Sequence, residues 1–218
     1  MVVLAALAAR RAAASGFDQL PVEVRVRLER GEQIVFTQAV AHSKWPAVNV
    51  YQVVAAPPEE AAAVFTDYGA EASYLRECCE MRRSEVRDPA VGGDKRVQRV
   101  YYEVAVPLFA NERYELLETV SRSGESYMVE WRKVGTEGRS DEIVGRALFE
   151  PHPGGKTYMT YHNLTRMNAT GAGLFKDQST ERTVKILRTI TERAARMHAA
   201  AGDPLAPQLE RLREAVGG

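Results

Sequence analysis

The side chains of this chain that could act together in one space are phenols, an indole and an amide. Tyr102, Tyr114, Trp131, Tyr161 and Asn163 share one parity of runs in which apolar and charged residues alternate, so a sheet built from those runs turns them to a single face. Such groups carry a polar tip on an apolar body, which is how small-molecule cavities are commonly lined. Tyrosine titrates near pH ~10, and no His, Asp or Lys falls among these inward positions. The chemistry this set suggests is therefore binding and orientation rather than proton abstraction, and no catalytic residue is assigned.

Other reactive residues are spaced for nothing specific. The four histidines, at 42, 152, 162 and 198, show no HxH, HxxxH or HExxH pattern, so no metal site is expected. Gly171 and Gly173 make only a GAG, short of a phosphate loop, and there is no GxSxG nucleophile elbow. No cofactor is called for. The only cysteines, Cys78 and Cys79, are neighbours, an arrangement that rarely meets ordinary disulfide geometry, and they read as a reduced pair near a helix end.

Holding the aromatic set on one face requires a sheet, and the sequence supplies one. Apolar β-like runs occupy 34–40 and 48–56. Pro57 and Pro58 then open a helix with Glu59 and Glu60 in its first turn, and helical character continues to about Cys79, with a break expected at Gly69. Period-2 segments follow at 97–108, 112–120, 126–134, 141–150 and 157–166, separated by turn residues, and 81–86 could add one more strand. Such short connections imply an antiparallel meander. The last long element, 174–198, repeats Val184, Leu187, Ile190, Ala194 and Met197 at spacings of three and four, one apolar stripe on a helix. The segment VEVRVRLERGE fits a helix or a strand, and the residues after Gly202 read as a marginal amphipathic tail.

A twisted sheet must cover one face, and the long helix is the element able to do so. The expected fold class is α+β: a curved antiparallel sheet wrapped around a long C-terminal helix, with an internal hydrophobic cavity. Charged residues such as Arg99, Glu103, Glu115, Glu130 and Arg146 fall at the outward parity, as does His162. The inward residues expected to contact a ligand are Tyr102, Val104, Tyr114, Leu116, Val129, Trp131, Phe149, Met159, Tyr161 and Asn163. Gly145 and Ala147, at the same parity, would leave space beneath the sheet.

Composition sets the outer bounds. The chain has 218 residues, 45% hydrophobic and 27% charged, ordinary for a globular protein and far from disorder. With 29 basic and 29 acidic residues the formal charge is zero, so no overall field gathers nucleic acid. Residues 1–9 are apolar, like the core of a secretory signal, but Arg10 and Arg11 follow them rather than precede them; this charge order argues against a signal and favours the cytoplasm, with a periplasmic or secreted location left open. No segment approaches the ~20 apolar residues of a membrane-spanning helix, while transient membrane contact stays open. The organisation expected is an N-terminal extension over 1–33, one domain over 34–199 and a tail over 200–218.

Within that domain, VNVYQVVAAPPEEAAAVFTDYGAEASYL resembles the opening of the START-like lipid-transfer and polyketide cyclase/dehydrase (SRPBCC) superfamily: a strand, a proline-containing helix start and an Asp-Tyr pair. VAVPLFANERYELL, YMVEWRKV, GRALFEPHPGGKTYMTYHN and the final helix continue the resemblance in order. It implies the helix-grip fold and a cavity for sterols, lipids, polyketides or hormones. It also implies an entrance at the 107–111 hairpin and the 171–175 segment, where Phe109, Leu174 and Phe175 are apolar residues at turn-like positions. The function expected is binding or transport of a small hydrophobic ligand without catalysis. The other reading is a polyketide cyclase/dehydrase-type enzyme using the same cavity, with Tyr102, Tyr114, Tyr161 and Asn163 as its polar groups.

Overall fold

A computed structural model describes residues 16–92, 95–106, 111–167 and 171–216. Two strands, β1 (Ile34–Gln38) and β2 (Ala47–Val54), are followed by helices α2 (Pro58–Phe65) and α3 (Tyr68–Cys79), the first α-helix among the described residues being α1 (Val22–Glu29). Six strands come next: β3 (Met81–Gly92), β4 (Lys95–Val104), β5 (Glu112–Ser123), β6 (Ser126–Val134), β7 (Glu142–His152) and β8 (Lys156–Arg166). The long helix α4 (Lys176–Ala199) and a short α5 (Ala206–Ala215) complete the described chain. The strands form one antiparallel sheet in the order β1-β2-β8-β7-β6-β5-β4-β3, so the meander is closed by β8 returning to β2. This is the expected α+β helix-grip arrangement, a curved sheet around a long C-terminal helix.

Local chemistry accounts for where the elements stop. The helical region after Pro58 breaks at Thr66–Asp67 rather than at Gly69. The Thr66 hydroxyl donates back to the Ala62 carbonyl at 2.9 Å, which loosens the helix end. VEVRVRLE resolves as a helix, because Leu28 then joins Phe17, Ile34 and Tyr158 in a small cluster on the convex side of the sheet. The expectation of two free thiols does not hold: Cys78 and Cys79, at the end of α3, are joined as a disulfide between neighbours. Their Cα atoms, 3.8 Å apart, lie below the usual disulfide range, so the ordinary spacing rule argued against the bond.

The main core lies between sheet, α4 and α2. The apolar stripe of α4 buries Leu187, Ile190 and Ala194, as its spacing requires. Helix α2 is apolar over Ala61–Phe65 and packs against α4, α5 and strands β6, β7 and β8. The space foreseen under Gly145 is filled: a methyl group there would collide with the Trp131 ring and the His162 carbonyl. Glycine is what lets the indole lie flat on β7. The tail beyond Gly202 contributes α5, which buries Leu212 and Ala215 and docks on α2.

Candidate functional site

Sheet and helices leave a cavity of about 480 Å³ between them. Its walls come from β4, β5, β6, β7 and β8 on the sheet side and from α3, α4 and the turn before α4 on the other. Alternation places Tyr102, Val104, Tyr114, Leu116, Trp131, Tyr161 and Asn163 on this wall. Val129, Phe149 and Met159 share the parity but lie further along the strands, where α2 closes the gap; Phe149 meets Phe65 with ring centroids 5.3 Å apart. They belong to packed core and do not border the cavity. Phe175 lines it, and Leu174 is 86% exposed beside it. Phe109 lies outside the described residues.

The aromatic wall is internally braced. The Trp131 Nε1 donates to the Asn163 Oδ1 at 3.0 Å, and the Asn163 Nδ2 donates to the Thr165 Oγ1 at 3.2 Å. The amide thus orients the indole. Trp131 and Tyr161 have ring centroids 5.3 Å apart, and Tyr102 stacks on Tyr114 at 5.4 Å. At the end bordered by the exposed Arg139 and Gln178 the cavity reaches solvent. There the Glu112 carboxylate accepts from the backbone N–H groups of Arg139 and Ser140 at 2.8 and 3.1 Å, tying the β6–β7 loop to β5. The Trp45 Nε1 donates to the Ala172 carbonyl at 2.7 Å and fixes the turn before α4.

The far end holds ionisable groups that the expected inward set lacks. Glu118 from β5 and Glu71 from α3 both line the cavity, and both are buried. The Tyr102 hydroxyl donates to the Glu118 Oε1 at 3.1 Å. Burial pushes the Glu118 carboxyl up to about 7, with the phenols of Tyr68 and Tyr102 pulling the other way. Burial, with Glu118 and Asp67 nearby, holds the Glu71 carboxyl well above its usual range. Two carboxyls raised together retain a proton near neutral pH, the property of a group able to give and take protons. Burial also raises Tyr102, Tyr114 and Tyr161, which are neutral phenols at any physiological pH. The signal for Glu118 was in the alternation, since it continues the parity of Tyr114 and Leu116; Glu71 falls on the helix face of Tyr68 and Leu75, at spacings of three and four.

No protein-family model matches the sequence, and no curated protein does. Solved structures match the fold. A STAR-related lipid transfer protein from Xanthomonas axonopodis superposes with a TM-score of 0.62 at 14% identity, over 74% of this chain and 93% of its own. The Zhui aromatase/cyclase from Streptomyces sp. R1128 gives 0.55 at 17% identity, over 72% of this chain and 97% of its own. Human STARD10 gives 0.56 at 12% identity, over 88% and 89%. Among the described residues no helix is long and apolar enough to cross a membrane. Sheet order, long helix and these superpositions agree: the chain has the helix-grip fold, shared with STAR-related lipid transfer proteins and aromatase/cyclases.

Proposed function

We propose that this chain binds one small hydrophobic molecule, a lipid, a sterol-like compound or a polyketide, in the cavity between the sheet and α4, as a carrier or sensor. The observation that supports it most is the cavity itself: about 480 Å³, walled by aromatic and aliphatic side chains with a few polar groups. That volume lies within the ~300–1,000 Å³ of small-molecule sites. In this reading the binding domain spans 34–199, flanked by the extension 1–33 and the tail 200–218. Tyr102, Val104, Tyr114, Leu116, Trp131, Tyr161 and Asn163 touch the ligand, while Val129, Phe149 and Met159 back the wall. Phe175 and the exposed Leu174 flank the entrance, where Leu174 is placed for transient contact with a membrane. Superposition on a lipid transfer protein fits this reading.

A second reading, a cyclase/dehydrase-type enzyme in the same cavity, is favoured by one observation. A carboxyl with a pKa near 7 at Glu118 can accept a proton from carbon beside a ketone and return it to a leaving hydroxyl. Superposition on an aromatase/cyclase is in keeping with it.

Binding is tested by uptake of Nile red, an apolar dye whose emission rises out of water. The wild-type chain takes it up saturably. Thr183→Trp, which puts an indole into the cavity from α4, keeps its circular dichroism and loses most of the uptake. Equal uptake by both proteins would overturn the proposal.

A further inference from the structure

The buried end of the cavity is rich in acceptors. Glu71 is 5% exposed and Glu118 3%, and one oxygen of each has no hydrogen-bond partner. The Tyr68 hydroxyl, on a residue 3% exposed, stands beside Glu118 and the Gln98 amide. All three residues line the cavity. Among the described residues no lysine or arginine pairs with either carboxyl: Arg182 is paired with Glu80, and Arg193 lies over the Tyr74 ring. The other titratable groups facing the pair are the phenols of Tyr74, Tyr102, Tyr114 and Tyr161, and Asp67, which already accepts from Arg211 and Gln208.

Two buried carboxyls are costly unless protonated or met by a cation. An ammonium group brings a positive charge and three N–H donors to two carboxyls whose present polar neighbours are neutral: the hydroxyls of Tyr68, Tyr102 and Ser84 and the Gln98 amide. We propose that the ligand is an amphiphile whose polar end is a basic nitrogen, seated between Glu71 and Glu118 with the Tyr68 hydroxyl as a third contact. Its apolar body then runs along Trp131 and Tyr161 toward the solvent end. A fatty acid would add a further negative charge to the same place, and an alcohol could donate only one hydrogen bond. The amine enters already protonated, and the proton that the carboxyl pair held leaves to solvent, so binding releases protons.

This inference rests on the cavity reading and is tested so that the two fail separately. Decylamine, decanol and decanoate are compared as displacers of Nile red from the full chain. At about pH 7.5 decylamine displaces at a concentration roughly tenfold or more below that of decanol, and decanoate is the weakest of the three. Toward about pH 5.5 protons compete for the carboxyls and the advantage of the amine shrinks by about tenfold, while decanol is unmoved. Glu118→Gln and Glu71→Gln each lower the ratio of decylamine to decanol affinity by about threefold or more. Should a variant fail to fold, the wild-type pH dependence decides. Displacement by decanol with no advantage for decylamine at about pH 7.5 overturns the inference and leaves the cavity reading standing. Failure of Nile red and all three ligands to bind removes the cavity reading and this inference with it.

Discussion

Glu118 shows how one residue links the cavity to the stability of the whole chain. Its carboxyl is raised to about 7 in the fold, against ~4.3 in an unfolded chain. The native state therefore holds the proton more tightly, so its stabilising effect is present at low pH and is lost as pH rises from about 4.3 through about 7. The full loss is on the order of 3 kcal/mol, and Glu71 acts in the same direction. Glu118→Gln keeps an acceptor for the Tyr102 hydroxyl and removes the charge. Urea unfolding between about pH 5 and about pH 8 should give a flatter stability profile for the variant and a gain of roughly 1–3 kcal/mol above pH ~7. An unchanged slope would show that Glu118 does not carry the effect. Alternation taken along the whole of β5 includes this residue in the inward set. Its neighbours Arg113 and Glu115 do point outward, but Glu118 keeps the parity of Leu116, and a charge at an inward position is informative because burial is costly. Asn163 differs in the other direction: its side chain reaches the cavity wall, yet its amide holds Trp131 and Thr165.

Among the elements, the strands were the most legible, because a two-residue period with turn residues between runs has few other readings. The observed β5, β6 and β8 begin within one residue of the segments read from alternation. Shorter helices were less legible. VEVRVRLE alternates as a strand would, and only its docking on Tyr158 makes it α1. Across α5 and its two caps, Leu205, Leu209, Leu212 and Val216 recur at spacings of four and three, but ten residues are too few to be helical without a partner. The partner is α2, and Asp67 adds a buried anchor by accepting from Arg211 at 2.7 Å. Leu212, 2% exposed, therefore belongs to the main core. Leu212→Ala should destabilise the chain by about 2–4 kcal/mol, read as a lower denaturant midpoint with an unchanged slope. A change under about 0.5 kcal/mol, typical of a surface site, would contradict the docking of α5.

At the scale of the molecule, the proposed binding depends on the curved sheet standing away from α4 at one end and being filled by α2 at the other. Sequence alternation identifies the face but not the depth along it, because parity is the same for Phe149, packed under α2, and for Tyr161, on the open wall. Depth is set by which helix crosses which part of each strand, and that is a tertiary property. Both tryptophans, Trp45 and Trp131, border the cavity, which makes the intrinsic fluorescence a reporter of its contents. The most direct measurement is titration with 10-bromodecanol, whose bromine quenches an indole on contact. Binding in the cavity predicts saturable quenching at one molecule per chain, lost on competition with decanol. Quenching that rises linearly without saturation, as for free tryptophan, would contradict it.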